Sequence, residues 1–185
     1  KVTVIEPGPE ARQKAQEALI AAKEGEVIEF AEGTFDLEMT LSLEDTPGIT
    51  IRGRGMDKTI LNFANQSAGA GGEGVKVAAG CDGFTIEDLT VRDTKADGIK
   101  VQGIKGATFR RVLVEWSRGP HPDNGAYGVY PVLTEDVLVE HCKVTDCSDA
   151  GVYVGQSKNV IVRNNTTERN VMGIEIENTT GADVY

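Results

Sequence analysis

The stretch that decides the fold is AGVYVGQSKNVIVRNNTTERNVMGIEIEN, residues 150–178. It nearly repeats itself. A glycine is followed by an apolar–any–apolar triplet, a turn and a second alternating run, and after about 22 residues the glycine returns. A fixed period of this size is typical of a solenoid, in which each unit buries its apolar face only against its neighbours.

The same pattern extends well beyond this stretch. The repeating glycines are Gly74, Gly98, Gly128, Gly151 and Gly173, at spacings of 24, 30, 23 and 22 residues. The second alternating run recurs at Ile86, Phe109, Val139 and Val162, at spacings of 23, 30 and 23 residues. Both series lengthen at the same point, so one insertion at residues 116–127 explains both.

The repeat predicts parallel strands stacked about 4.8 Å apart, one coil above another. Strands of a β-sandwich would instead be joined by short hairpin loops, with no constant long period. The predicted register also makes neighbours of four outward residues, namely Glu87, Arg110, Glu140 and Arg163. Their charges alternate in sign, as cross-strand pairing favours.

The N-terminal third fits the same plan with looser spacing. Helix-forming residues and a glycine stop at position 25 predict a capping helix over residues 9–24. Residues 25–73 are expected to form irregular first coils, ending in a flexible glycine-rich loop at 65–74, and residues 74–185 the regular coils. We therefore predict one domain, an all-β parallel β-helix with a short capping helix.

Composition excludes several classes of protein. The chain has 185 residues, a formal charge of −10 and no basic stripe, which argues against nucleic acid as a partner. It contains no run of roughly 18 apolar residues that would predict a membrane span. Its three cysteines fit neither a disulfide framework nor a zinc pattern, so we expect buried free thiols.

Three segments carry a family resemblance: GEVIEFAEGTF, ITIRGRGMDKTIL and the repeated rungs such as DGIKV. Together they resemble right-handed parallel β-helix proteins of the pectate-lyase-like superfamily, over essentially the whole chain. The resemblance implies a right-handed solenoid and an exported protein, secreted or periplasmic, that interacts with polysaccharide. It does not fix an activity, because fold alone does not give function.

Two outward columns flank the repeating glycines. The column that follows them is Lys76, Lys100, Tyr130, Tyr153 and Glu175, and the column that precedes them is Glu73, Asp97, Tyr127, Ala150 and Met172. Tyrosine rings offer flat faces to sugars, while lysine and carboxylate groups bind hydroxyls or acidic groups. The predicted substrate-binding residues are Lys76, Tyr127, Tyr153 and Glu175, with Asn124 from the insertion. In resembling enzymes the substrate groove lies over the corresponding sheet. The simpler alternative is a solvated face on which the tyrosines only stack.

A first candidate chemistry is β-elimination or epimerisation of a uronate. This reaction needs a base beside the carboxylate and a cation that neutralises it. Lys100, Tyr130 or His121 are the candidate bases, and Asp97 with Asp123 are candidate ligands for calcium. The acidic and aromatic signature of alginate epimerases is absent, since GPHPDNGAYG has His, Asp and Tyr in another order.

Two other functions stay open. The segment KADGIKV around Asp97 resembles the NTDGI rung of polygalacturonases, but the paired aspartate one coil later is missing. The nearest substitute, Asp149, lies two coils away, about 9–10 Å along the axis. The other is a non-catalytic repeat or surface module that only binds its ligand.

The last residues, GADVY, read as the start of another strand without a polar cap. An uncapped strand edge is a site for pairing with other chain segments. We therefore expect further coils, or a partner, to cover this end.

Overall fold

The computed structural model describes residues 1–67 and 71–185, and part of the glycine-rich loop predicted at 65–74 lies outside these residues. One helix, α1 (Ala11–Ala21), precedes the coils. The strands are β1 (Val2–Ile5), β2 (Val27–Phe30), β3 (Gly33–Asp36), β4 (Leu41–Leu43), β5 (Thr50–Arg52), β6 (Thr59–Asn62), β7 (Val75–Val77), β8 (Phe84–Arg92), β9 (Ile99–Gln102), β10 (Lys105–Glu115), β11 (Val129–Val132), β12 (Glu135–Glu140), β13 (Lys143–Thr145), β14 (Ala150–Gly155), β15 (Lys158–Arg163), β16 (Thr166–Glu168), β17 (Met172–Glu177) and β18 (Thr180–Val184).

The strands form three parallel ladders, which are the three faces of a coil. The first face consists of β4, β7, β9, β11, β14 and β17. The second face runs from β1 and β2 through β5, β8, β10, β12 and β15 to β18. The third face is made by β3, β6, the ends of β8 and β10, β13 and β16. The predicted parallel β-helix is confirmed.

The corner between the second and third faces is a single residue in the left-handed region. Asp88, Arg111, His141 and Asn164 hold it in successive coils, with φ values of 58°, 48°, 54° and 55°. One residue of this kind turns the chain sharply, since it reverses the local sense of the backbone. This is why β8 and β10 cross the corner without a loop.

The repeating glycines stack as predicted. Their backbones lie so close together that no side chain would fit between them. The amide of Gly128 donates to the carbonyl of Gly151 at 3.1 Å, one coil further on. A Cβ at position 128 would lie 2.2 Å from Val144 Cγ1 and 2.9 Å from the Gly151 oxygen. Only glycine fits such an approach.

The core is a set of apolar columns that run along the axis. On the first face, Val75, Ile99, Val129 and Val152 are in register and fully buried. On the second face, Ile51, Ile86, Phe109, Val139 and Val162 do the same. Burying one such side chain contributes about 1.5–3 kcal/mol. Most of the stability therefore comes from stacking one coil on another.

The predicted charge ladder is confirmed, and it is longer than expected. Glu140 lies between two arginines, accepting from Arg110 Nε at 2.7 Å and from Arg163 Nε at 2.9 Å. Arg110 also reaches Glu87 at 3.5 Å. Arg52 and Glu29 extend the alternation towards the N-terminus, in register with Glu87 and 2.7 Å apart.

The helix covers the N-terminal end of the coils, as solenoids require. Ala11, Ala15 and Leu19 are its buried residues. The Gln16 side-chain amide pairs with the free edge of β4, donating to the Ser42 carbonyl and accepting from the Ser42 amide, both at 2.9 Å. Strand β1, which was not predicted from the sequence, pairs with β2.

Residues 25–73 supply β2 to β6 to the same three ladders, so their looser spacing lies in the connections rather than in the strands. Within the described residues, no helix is long and apolar enough to cross a membrane.

Candidate functional site

The predicted outward columns lie on the first face, as the register requires. Lys76 pairs with Lys100, Lys100 with Tyr130, and Tyr153 with Glu175. Alternation along each strand turns these side chains away from the buried valines and isoleucines. We call the set Lys76, Lys100, Tyr130, Tyr153 and Glu175 the outer column. It is basic in the earlier coils, aromatic in the middle and acidic in the later coils.

Three tyrosines gather at the centre of this face, and we call Tyr127, Tyr130 and Tyr153 the tyrosine cluster. The rings of Tyr127 and Tyr153 stack with centroids 4.4 Å apart and planes at 22°. The ring of Tyr130 meets Tyr127 at 4.8 Å and Tyr153 at 5.3 Å. Lys100 Nζ lies 5.5 Å from the centroid of the Tyr130 ring, a cation–π distance. The cluster is half-buried and forms a continuous aromatic surface.

Two residues fix the pose of Tyr153. Its hydroxyl donates to Glu177 Oε2, two positions after Glu175 on the same strand. Its ring lies over the backbone of Gly155, where an added Cβ would be 2.7 Å from Tyr153 Cε1. A glycine at 155 is therefore needed for the ring to lie flat, a role that the sequence analysis did not assign to it.

Asp97 stands beside the cluster and is half-buried. Its Oδ1 accepts a hydrogen bond from the Tyr127 amide at 3.2 Å. Burial raises the pKa of this carboxyl, while the Tyr127 amide and the charge of Lys100 act in the opposite direction. A carboxyl whose pKa is raised by burial next to a cation is typical of functional sites.

The tyrosine hydroxyls are held protonated. Burial is the largest cause of the raised pKa of Tyr127 and of Tyr130. For Tyr153, the hydrogen bond to Glu177 is the largest cause of the raised pKa. At neutral pH these groups are hydrogen-bond donors, and the role of Tyr130 as a base would first require a phenolate that its surroundings disfavour.

Asn124, which the sequence predicts as a substrate-binding residue, has a side chain that lies inside the protein. It is 4% exposed, and its amide nitrogen donates to the carbonyls of Gly119 at 3.0 Å and Asp146 at 2.7 Å. Its oxygen accepts from Arg118 Nε at 2.7 Å. Asn124 therefore ties the inserted loop to the next coil.

His121 and Asp123 belong to the inserted loop rather than to the tyrosine cluster. The Asp123 amide donates to His121 Nδ1 at 3.1 Å. His121 lines a groove together with Cys147, Ser148 and Val171. No tyrosine is among the residues that line this groove. The structure thus gathers Asp97, Lys100 and Tyr130 on one face, while the side chain of His121 contacts Asp123 within its own loop.

The calcium ligands expected from Asp97 and Asp123 do not form an oxygen cage. Among the described residues, no group of three or more His, Cys, Asp and Glu side chains is arranged to hold a metal ion. Calcium takes six to eight oxygen ligands, which two carboxylates on different surface features do not supply.

Acidic residues close the later end of the outer column. The pKa of Glu175 is raised, by desolvation first and then by the charges of Asp149 and Glu177. The charges of Asp149 and Glu175 also raise the pKa of Tyr127, after the larger effect of burial. An anionic group is therefore disfavoured at this end and favoured near Lys76 and Lys100.

The stacked coils define a parallel β-helix, and comparison with known proteins agrees on this fold. The family described as "Right handed beta helix region" matches residues 47–184, and the chain belongs to this family. The handedness expected from the resemblance is thereby confirmed. No curated protein matches the sequence of the chain.

Solved structures with this fold include three polysaccharide enzymes. The A-module of mannuronan C-5 epimerase AlgE4 from Azotobacter vinelandii is 19% identical, with a TM-score of 0.67, over 96% of this chain and 56% of that one. An alginate lyase from Paenibacillus sp. str. FPU-7 is 16% identical, with a TM-score of 0.61, over 98% of this chain and 67% of that one. Pectin methylesterase PemA from Erwinia chrysanthemi is 14% identical, with a TM-score of 0.55, over 88% and 55%.

These identities show the shared fold alone. The chain spans between about half and two thirds of the length of the structures it matches. The three proteins are named for mannuronan, alginate and pectin.

Proposed function

We propose that the protein is an exported, secreted or periplasmic, β-helix that binds an acidic polysaccharide along its first face. The observation that carries this proposal is the tyrosine cluster, in which three rings from two successive coils form one surface. Rings fixed in this way lose little side-chain entropy on binding and offer apolar faces to sugar rings.

The charges along the outer column give the bound chain a direction. Lys76 and Lys100 stand in register on neighbouring strands, so their ammonium groups can receive a carboxylate of the polymer. The tyrosine cluster follows, and Glu175 and Glu177 at the other end accept hydrogen bonds from sugar hydroxyls. The net charge of −10 makes this local pair of lysines necessary for a polyanion to approach.

The comparisons support the class of ligand. The epimerase, the lyase and the methylesterase are named for mannuronan, alginate and pectin, which are polymers of acidic sugars, and each shares the β-helix fold over 88% or more of this chain.

A second candidate function is catalysis of the lyase or epimerase type on the same polymer. The raised pKa of Asp97, beside Lys100 and the tyrosine hydroxyls, favours it. In this reaction Asp97 or Lys100 would take the proton next to the uronate carboxylate, and Tyr130 would donate a hydrogen bond to the developing negative charge.

Two assays test these functions separately. Electrophoresis through gels that contain alginate or polygalacturonate, with dextran as the neutral control, measures binding. We expect retardation in the acidic polymers and none in dextran, and equal mobility in all three gels would contradict the proposal.

Absorbance of the unsaturated product measures lyase activity, and incorporation of solvent deuterium at the sugar carbon measures epimerisation. If neither signal appears in a protein that is retarded, binding stands and catalysis is rejected.

A further inference from the structure

A groove lined by the only tryptophan of the chain lies at the base of the inserted loop. Its walls include Ala64, Asp93, Lys95, Trp116, Arg118 and Asp123, and we call it the Trp116 groove. Its volume is about 470 Å³, within the range of small-molecule sites. No part of the function proposed above uses it.

The indole forms a rigid wall of this groove. Trp116 is 4% exposed, and its Nε1 donates to the Thr94 carbonyl at 2.8 Å. On another side it touches the backbone of Gly125, where an added Cβ would lie 2.7 Å from Trp116 Cζ2. A ring held on two sides in this way offers its remaining edge to a ligand without further ordering.

The groove contains two cations with donors to spare. Within the described residues, Lys95 Nζ makes no ion pair or hydrogen bond, and Arg118 uses only its Nε, in the bond to Asn124. Each oxygen of the Asp93 carboxylate accepts one hydrogen bond, from the amide and the hydroxyl of Ser117 at 2.7 Å each. Asp123 is 81% exposed at its side chain, so that solvent screens its charge. Among the described residues, the hydrogen-bond donors of the groove that have no partner therefore belong to Lys95 and Arg118, and such donors can receive an anionic group.

We propose that the Trp116 groove is a separate binding site for a single acidic sugar, a uronate. Lys95 and Arg118 would hold the carboxylate by charge-assisted hydrogen bonds, the edge of Trp116 would contact the ring, and Asp123 would accept from a hydroxyl. Lys95 precedes Asp97 by two residues on the segment that enters β9, and none of the residues that line the groove belongs to the tyrosine cluster. This proposal rests on the proposed function in one respect only, the choice of an acidic sugar as the ligand.

Because Trp116 is the single tryptophan, its fluorescence reports directly on this groove. The titrants are sodium galacturonate, galactose, which lacks the carboxylate, and sodium acetate, which lacks the sugar. We expect a saturable change in emission with galacturonate alone. No change with galacturonate, or the same change with acetate, would overturn the proposal.

Substitution of Lys95 gives the second arm of the experiment. Lys95→Gln removes one charged donor, and we expect it to weaken galacturonate binding roughly tenfold. Lys58→Gln makes the same change at an exposed lysine that lines neither the groove nor the outer column, and it should leave the affinity unchanged. Equal affinities of Lys95→Gln and the natural protein would also overturn the proposal.

Tyr153→Ala separates this site from the one on the first face. It should leave the galacturonate titration unchanged while it reduces retardation in polymer gels. Retardation without a Trp116 signal rejects the groove alone. A Trp116 signal without any effect of Tyr153→Ala on retardation supports the groove and rejects the first face.

Discussion

Tyr127 and Tyr153 come from successive coils, yet their rings stack at 4.4 Å while the residue in register with Tyr153, Tyr130, meets it edge-on at 5.3 Å. The contact is diagonal. Tyr127 directly precedes the repeating glycine Gly128, whereas Tyr153 lies two positions after Gly151, the next repeating glycine. It joins the two outward columns into one surface. The geometry therefore depends on both the coil register and the local backbone at Gly155.

Replacing Gly155 tests that local dependence. In Gly155→Ala the new methyl group would lie 2.7 Å from Tyr153 Cε1, which is too close, so the ring must shift from its place against Tyr127. We expect weaker retardation in acidic polymers with a small loss of stability, and a change in the near-ultraviolet circular dichroism of the tyrosines. Unchanged retardation together with an altered tyrosine spectrum would show that the stack plays no part in binding.

The glycine column predicts a large loss of stability for Gly128→Ala. The added methyl group would meet Val144 in the core and the Gly151 backbone, neither of which can move independently. We expect the free energy of unfolding to fall by about 3 kcal/mol, at the upper end of overpacking effects. Urea denaturation measures it.

The matched control is Gly103→Ala. Position 103 has φ of 72° and nothing within 4 Å of an added Cβ, so only backbone strain of about 1–2 kcal/mol applies. A loss at position 128 no greater than that at position 103 would be inconsistent with stacked glycines.

The charge ladder predicts how stability depends on pH. The pKa of Glu140 is lowered, first by the hydrogen bond from Arg110 and then by that from Arg163. A carboxyl with a lowered pKa in the folded state stabilises it above the pKa of the unfolded chain, about 4.3, and this stabilisation is lost as the pH falls through the folded value. The natural protein should therefore lose stability on acidification below about pH 4.3.

Glu140→Gln should remove part of that dependence. At neutral pH we expect a loss of about 1.5–3 kcal/mol, the range for hydrogen bonds to charged groups, since this side chain is 8% exposed. The difference between the two proteins should shrink at low pH. Glu32→Gln, at an exposed position, serves as the control, and a constant difference at every pH would contradict the ladder's role.

The cysteines should be inert in the folded protein. Cys81, Cys142 and Cys147 are free and buried. Burial raises the pKa of all three thiols, that of Cys142 to about 11. Iodoacetamide at pH 8 should label none of them in the native state and all three in urea, as counted by mass spectrometry. Rapid labelling of native Cys147 would mean that the coil around it opens.

The regular coils were predictable because one physical constraint repeats in them. A glycine is needed wherever two backbones touch, and a buried Val or Ile follows it, so Gly98 and Val129 indicate the register without any structure. Arg52 and Glu29 belong to the same charge ladder, but the irregular connections before residue 74 hide their spacing. Strand β1 was missed because its four residues carry too short a pattern.

The candidate site was less predictable, because side-chain direction within a loop is not periodic. Asn124 looks like any polar loop residue in the sequence, and only its contacts with Gly119 and Asp146 show that it points inwards. One feature of the sequence indicated the Trp116 groove, namely the single tryptophan at the start of the insertion. Its free lysine, Lys95, comes from the preceding coil, at a position that no repeat marks.

The central claim is that a polymer of acidic sugars lies against the stacked tyrosine rings, and its most direct test is the affinity of Tyr153→Ala for polygalacturonate and alginate, with Tyr153→Phe beside it. Loss of an aromatic contact of about 0.5–1.5 kcal/mol should weaken binding by roughly two- to tenfold in the alanine variant. Tyr153→Phe, which keeps the ring and loses only the bond to Glu177, should bind almost as well as the natural protein. Equal binding by all three proteins, or no binding by any of them, would contradict the account.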